Sequence, residues 1–136
     1  MDIAIFKKMK VKPQSTAMAF CAPGDYPKSP ELNWISEGQG QADFVHLFVE
    51  SREQFAEGFP QAAETLKDSG LLWVSYPKSK GKVKYDINRD SLWALLLDAG
   101  YHPVAQVSLS DDWSAVRVKK NEAGVVYERP GNVKKQ

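Results

Sequence analysis

The fold turns on one stretch, Gly70-Leu-Leu-Trp-Val-Ser-Tyr-Pro-Lys-Ser-Lys-Gly-Lys-Val-Lys-Tyr-Asp86. Residues 71–76 are a short, mostly apolar run closed by Pro77, the pattern of a strand covered on both faces. After Pro77 comes a glycine-centred loop carrying Lys78, Lys80, Lys82 and Lys84. A helical pattern precedes the run and another follows it. The stretch therefore reads as a central strand delivering a basic loop to one end of a sheet. Trp73, mid-strand between two crossover helices, is expected to be buried.

The flanks support this reading. Residues 43–50 (Asp-Phe-Val-His-Leu-Phe-Val-Glu) are apolar on both faces apart from His46 and form a strand. Ser51 opens a helix, with Gln54 at capping-box spacing. Phe55, Phe59, Ala62, Ala63 and Leu66 form its apolar stripe, and 68–70 end it. Pro60 predicts a break or kink at Gly58-Phe59, with Pro60 restarting the helix, because proline removes a helical N–H and clashes with the preceding turn. Beyond the lysine loop, Asp86 or Asn88 caps a helix over 89–98 that stops at Gly100. Strands follow over 104–109 and 113–119, antiparallel to each other, with a hairpin strand at 125–128.

Towards the amino end, an amphipathic turn at 2–9 precedes a strand over 16–21 and a proline-rich loop over 22–30. A short strand over 32–35 follows after about ten residues, too few for a helical crossover, so it reads as antiparallel to the first. The two strand–helix–strand units demand parallel pairing with right-handed crossovers. They make 43–50, 71–76 and 104–109 parallel neighbours. The fold class is α/β: a three-layer domain with a mixed sheet, parallel at its centre and antiparallel at its edges. Residues 1–129 read as one domain and 130–136 as a polar tail.

With 136 residues and net charge +1, one core is affordable and no global field points to nucleic acid or membrane. Charge is uneven: residues 31–64 hold seven acids and one base, Arg52. Cys21 is the sole cysteine, which excludes an internal disulfide and a thiolate zinc site. It reads as a small buried hydrophobe. The first ten residues have no signal-peptide pattern, and no run approaches the ~20 apolar residues of a spanning helix. A cytoplasmic protein is expected.

Ligands of open α/β sheets bind beyond the carboxyl ends of the strands. That places Tyr76, Pro77 and Lys78 at a site, with Asp86 bracketing the loop. Pro77 fixes the backbone before Lys78, so this lysine is the positioned one. Asp86 serves equally well as a helix cap. The other lysines read as a solvated loop or a phosphate-contacting patch. His46 and His102 form no metal-ligand pair, and His46 reads as an interior histidine. No serine or cysteine sits in a nucleophile elbow.

Two resemblances attach to these residues. The run Asp43-Phe-Val-His-Leu-Phe-Val, then Leu66 to Pro77, then Gly100-Tyr-His-Pro-Val and Trp113-Ser-Ala-Val-Arg-Val resembles the second half of a class I SAM-dependent methyltransferase, over about residues 43–120. Leu-Trp-Val-Ser-Tyr-Pro-Lys at 72–78, Asp86 and Asp-Trp-Ser at 112–114 are similar to a family of small one-domain bacterial proteins with no established activity. The first resemblance implies a SAM site built from a glycine-rich turn after strand one and an acid after strand two. Here that turn is Cys21-Ala-Pro-Gly-Asp25, with one glycine and no room for the helix it should introduce. Glu37 stands where the acid would be. No cofactor is therefore expected.

The resulting expectation is a non-catalytic binding module that takes an anionic small molecule on the loops after strands one, three and four. The alternative is an enzyme of methyltransferase-like descent using the same rim on an anionic small molecule. Nucleic-acid binding through the 78–84 loop ranks below both. Oligomeric state is left open.

Overall fold

A computed structural model describes residues 1–79 and 85–129. Lys80, Lys82, Lys84 and the expected tail over 130–136 lie outside the described residues. The elements run α1 (Ile5–Lys8), β1 (Thr16–Phe20), β2 (Asn33–Trp34), β3 (Ala42–Phe48), α2 (Arg52–Thr65), β4 (Leu66–Pro77), α3 (Arg89–Asp98), β5 (Tyr101–Ser108) and β6 (Trp113–Lys120). They build one mixed sheet in the order β2-β1-β3-β4-β6-β5. The β2-β1-β3-β4 half is parallel, and β6 is antiparallel to both its neighbours.

Both strand–helix–strand connections step across the sheet in the same direction. Right-handed crossovers therefore place α2 and α3 on one face. Phe55, Phe59 and Ala62 of α2 and Leu92 and Leu96 of α3 pack there against Val45, Leu47, Leu72, Val74 and Val116. The other face is covered by α1 and the irregular 21–32 segment, through Ile5, Phe6, Met9 and Leu32 over Ala17, Phe44, Phe48 and Trp73. Trp73 is 1% exposed and donates its indole N–H to the Met9 carbonyl at 3.1 Å. That bond ties the central strand to the amino-terminal layer.

Several expectations are corrected. β2 is parallel to β1, not antiparallel: the chain returns across the sheet face as an extended loop, which supplies the crossover without a helix. β5 runs in the same direction as β4 but is not its neighbour. α3 carries the chain one strand position further, and β6 fills the slot between them. β6 then has partners on both edges, so 125–128 finds no free edge beside it and forms no strand; Val126 is 95% exposed.

Of the break or kink expected at Gly58-Phe59, the break does not occur. α2 is continuous through Pro60. The carbonyl that Pro60 leaves unbonded belongs to exposed Ala56 and can bond water, while Phe55 and Phe59 stack at 4.8 Å on the buried side. Apolar packing outweighs the local cost. The helix ends at Thr65, and Leu66, expected in its stripe, and 68–70, expected to end it, lie in β4 instead. They do so through a register shift: Ala42 faces Leu66 and Phe44 faces Leu71. Ser69 takes a left-handed φ of 66° in this bulge.

Candidate functional site at the carboxyl ends of the strands

The four residues expected at the site separate into four environments. Alternation along β4 sends Tyr76 to the α2/α3 face and Pro77 to the other. The Tyr76 hydroxyl accepts a hydrogen bond from the Gln106 side-chain amide at 3.1 Å, and burial raises its pKa. Gln106 in turn lines an apolar cleft of about 240 Å³ with Arg89, Leu92, Trp93, Leu96 and Pro103. Tyr76 thus braces the wall of a cleft and does not open on the rim. Pro77 is buried and pairs with Trp113 across the antiparallel ladder.

Lys78 is the rim residue. Its backbone N–H donates to the Asp112 carbonyl at 2.9 Å, which fixes the chain just beyond the strand. Its ammonium donates to Ser108 Oγ at 2.6 Å. From α1, Lys8 Nζ donates to the Ser108 backbone carbonyl at 3.2 Å. Two cations seventy positions apart therefore meet at the turn between β5 and β6. Nothing in the local sequence around Lys8 announces this. It follows from α1 lying across the sheet face, which the amphipathic pattern at 2–9 only hinted at.

Asp86 goes elsewhere. It does not cap α3: Asn88 does, accepting from Ser91 N at 3.0 Å, while the Ser91 hydroxyl accepts from Asn88 N at 2.8 Å. Asp86 Oδ1 instead accepts from the Arg52 backbone N–H at 3.0 Å, and Arg52 Nε donates to the Asp86 carbonyl at 3.0 Å. Arg52 opens α2, so Asp86 satisfies one of the unbonded N–H groups at that helix's start. It positions the far end of the lysine loop against α2 and not against Lys78.

Beneath the rim lies a polar group the sequence left unconnected. His46 is fully buried, with Nδ1 3.1 Å from the Tyr26 hydroxyl and Nε2 2.6 Å from Ser75 Oγ. One ring nitrogen donates and the other accepts, which suits the neutral imidazole. Burial pushes its pKa down to about 3. Burial also raises the Tyr26 phenol. Rings pack around the pair: Tyr26 meets Phe6, Trp34 and Phe48 edge-on, and His46 lies 4.3 Å from Phe48. Tyr26 belongs to the proline-rich loop, so loop composition concealed its partnership with β3. Cys21, expected to be buried, is exposed and turns the chain out of β1 with φ of 58°.

No family model and no curated protein matches the chain. Solved structures do. The glycopeptide N-methyltransferase MtfA superposes on 85% of this chain and 88% of its own, with a TM-score of 0.59 and 8% identity. The ribosomal protein L11 methylase from Lactobacillus delbrueckii subsp. bulgaricus covers 86% of this chain and 75% of its own, with a TM-score of 0.52 and 10% identity. A protein in the NADB-Rossmann superfamily from Streptococcus agalactiae covers 93% and 71%, with a TM-score of 0.54 and 10% identity. The likeness is one of fold: a Rossmann-type, methyltransferase-like sheet. The resemblance to the small bacterial family draws no support from these matches.

Proposed function

We propose that this is a domain of methyltransferase-like descent that binds a small anionic molecule at the carboxyl rim of its sheet without using SAM. The carrying observation is the convergence of Lys8 and Lys78 on Ser108. Each ammonium has three donors and each spends one there, leaving N–H groups to meet a carboxylate or phosphate. The rim is also where the fold class carries its ligands.

The residues after β1 do not fit SAM in the way the fold would use it. A glycine-rich turn leading into a helix brings backbone N–H groups to the ligand. Here 21–32 has no helix, Cys21 occupies a left-handed position, and Tyr26 seats its ring on His46 and Phe48. His46 is sealed beneath the rim and meets no solvent, so the anion is held by Lys8 and Lys78 and not by an imidazole.

The test is a thermal-shift series with succinate, inorganic phosphate and SAM. A ligand present at a hundred times its dissociation constant adds about 2.7 kcal/mol. Stabilisation by succinate or phosphate that is lost in Lys78→Ala supports the reading. Stabilisation by SAM alone rejects it in favour of a cofactor-using enzyme.

A further inference from the structure

The opposite end of the sheet carries a cationic concavity. The bulge that opens β4, the end of α2, the start of β5 and the end of β6 enclose about 580 Å³. Its wall holds Lys67, Arg117, Lys119 and Lys120, with Asp68 as the acid among its lining residues. Lys67 is partly neutralised by Asp43 at 3.4 Å. With both acids counted against the four bases, the surplus is two positive charges. Leu66, Val118 and Tyr101 also border it, from the α2/α3 face, whereas Arg117 stands on the Trp73 face.

Arg117 distinguishes this place from a scatter of surface lysines. It pairs in register with Trp73 in the middle of the sheet, so its stem starts from a rigid strand. Its Nε is buried and has no hydrogen-bond partner, and among the described residues its guanidinium has no carboxylate. A buried donor without an acceptor is costly, and a guanidinium held by its stem presents its fork with little further loss of freedom. The bulge belongs to the same construction. A Cβ on Gly70 would lie 2.9 Å from the backbone oxygens of Asp43 and Lys67, so only glycine lets β4 fold back here beside Lys67.

We infer that this basal cavity binds a phosphate monoester or other dianionic phosphoryl compound, with Arg117 as the fixed anchor and Lys67, Lys119 and Lys120 closing around the charge. An arginine fork matches phosphate oxygens two at a time. The site is independent of the rim, being built from different residues at the other end of the strands.

The experiment is a titration with inorganic pyrophosphate and with adenosine monophosphate, followed by amide chemical shifts in the intact chain. Saturable shifts centred on 66–70, 101 and 117–120 are expected. Arg117→Gln should weaken binding by about tenfold or more, the loss of one charge-assisted contact. Because Arg117 is packed, the exposed pair Lys119→Ala/Lys120→Ala provides a second variant that should weaken binding with folding intact. Lys8→Ala/Lys78→Ala should leave these shifts unchanged, which separates this site from the rim. Absence of saturable shifts at the base, or their survival in both basal variants, would overturn the assignment.

Discussion

Tyr26 and His46 meet through a 3.1 Å hydrogen bond that joins the loop after β1 to the middle of β3. With Ser75 on the other ring nitrogen, His46 is saturated as a neutral imidazole. Its folded pKa near 3 lies far below the ordinary histidine value of about 6.5. The unfolded chain therefore takes up a proton that the folded chain refuses. The resulting stability is complete above about pH 6.5 and is lost as pH falls towards 3. The slope contributed is at most about 1.4 kcal/mol per pH unit. Urea midpoints at pH 7, 5.5 and 4.5 should fall in the parent chain. In His46→Gln they should start lower and fall less steeply. Equal slopes in the two proteins would remove His46 from the account.

Trp73→Ala should cost about 3–5 kcal/mol, because it empties a fully enclosed indole site between the two layers. Trp73→Phe isolates the polar part. It keeps much of the ring but leaves the Met9 carbonyl without its donor, at a cost of roughly 1–3 kcal/mol. Denaturant unfolding of both variants checks the order. An unchanged midpoint in Trp73→Ala would mean that β4 is not central.

Gly70→Ala should destabilise more than Gly58→Ala. At Gly70 the new methyl meets two backbone oxygens at 2.9 Å as well as Leu66 Cδ1 at 2.7 Å, and backbone cannot step aside cheaply. At Gly58 it meets the Leu47 side chain at 2.9 Å, and the gain in helix propensity, about 1 kcal/mol, offsets part of the clash. Overpacking of this kind costs about 1–3 kcal/mol. Thermal midpoints of the two variants give the comparison, and the reverse order would contradict the bulge geometry.

Much of the architecture was legible from periodicity. The apolar runs of β3 and β4, the stripe of α2 and the capping residues of α3 fix two crossovers, and handedness fixes their face. What was illegible depended on contacts between distant segments. The slot between β4 and β5 becomes visible only when β6 is known to fold back into it. The parallel direction of β2 rests on an extended crossover that short length argued against. At the site, Lys78 was placed by Pro77 and the strand end, but its companion Lys8 came from a different layer. Asp86 was placed at a helix start, though of α2 and not α3, because a side chain's choice between two nearby helices is set by tertiary packing.

Lys78→Ala should weaken a bound anion at low and at high salt alike, since a contact lysine is screened far less than one acting across more than ~10 Å of solvent. Lys8→Ala should weaken it as well, because Lys8 converges on the same Ser108. Affinities for succinate at two ionic strengths separate contact from a diffuse field. Silence in Lys78→Ala would move the rim site elsewhere.

The central claim, that the rim beside Lys78 takes an anion and not SAM, is tested most directly by amide chemical-shift mapping with succinate and, separately, with SAM. Succinate should move the amides of Lys78, Ser108 and Trp113 in a saturable way, and SAM should leave residues 21–26 unmoved. Saturable shifts at 21–26 with SAM, and none at Lys78 with succinate, would contradict it.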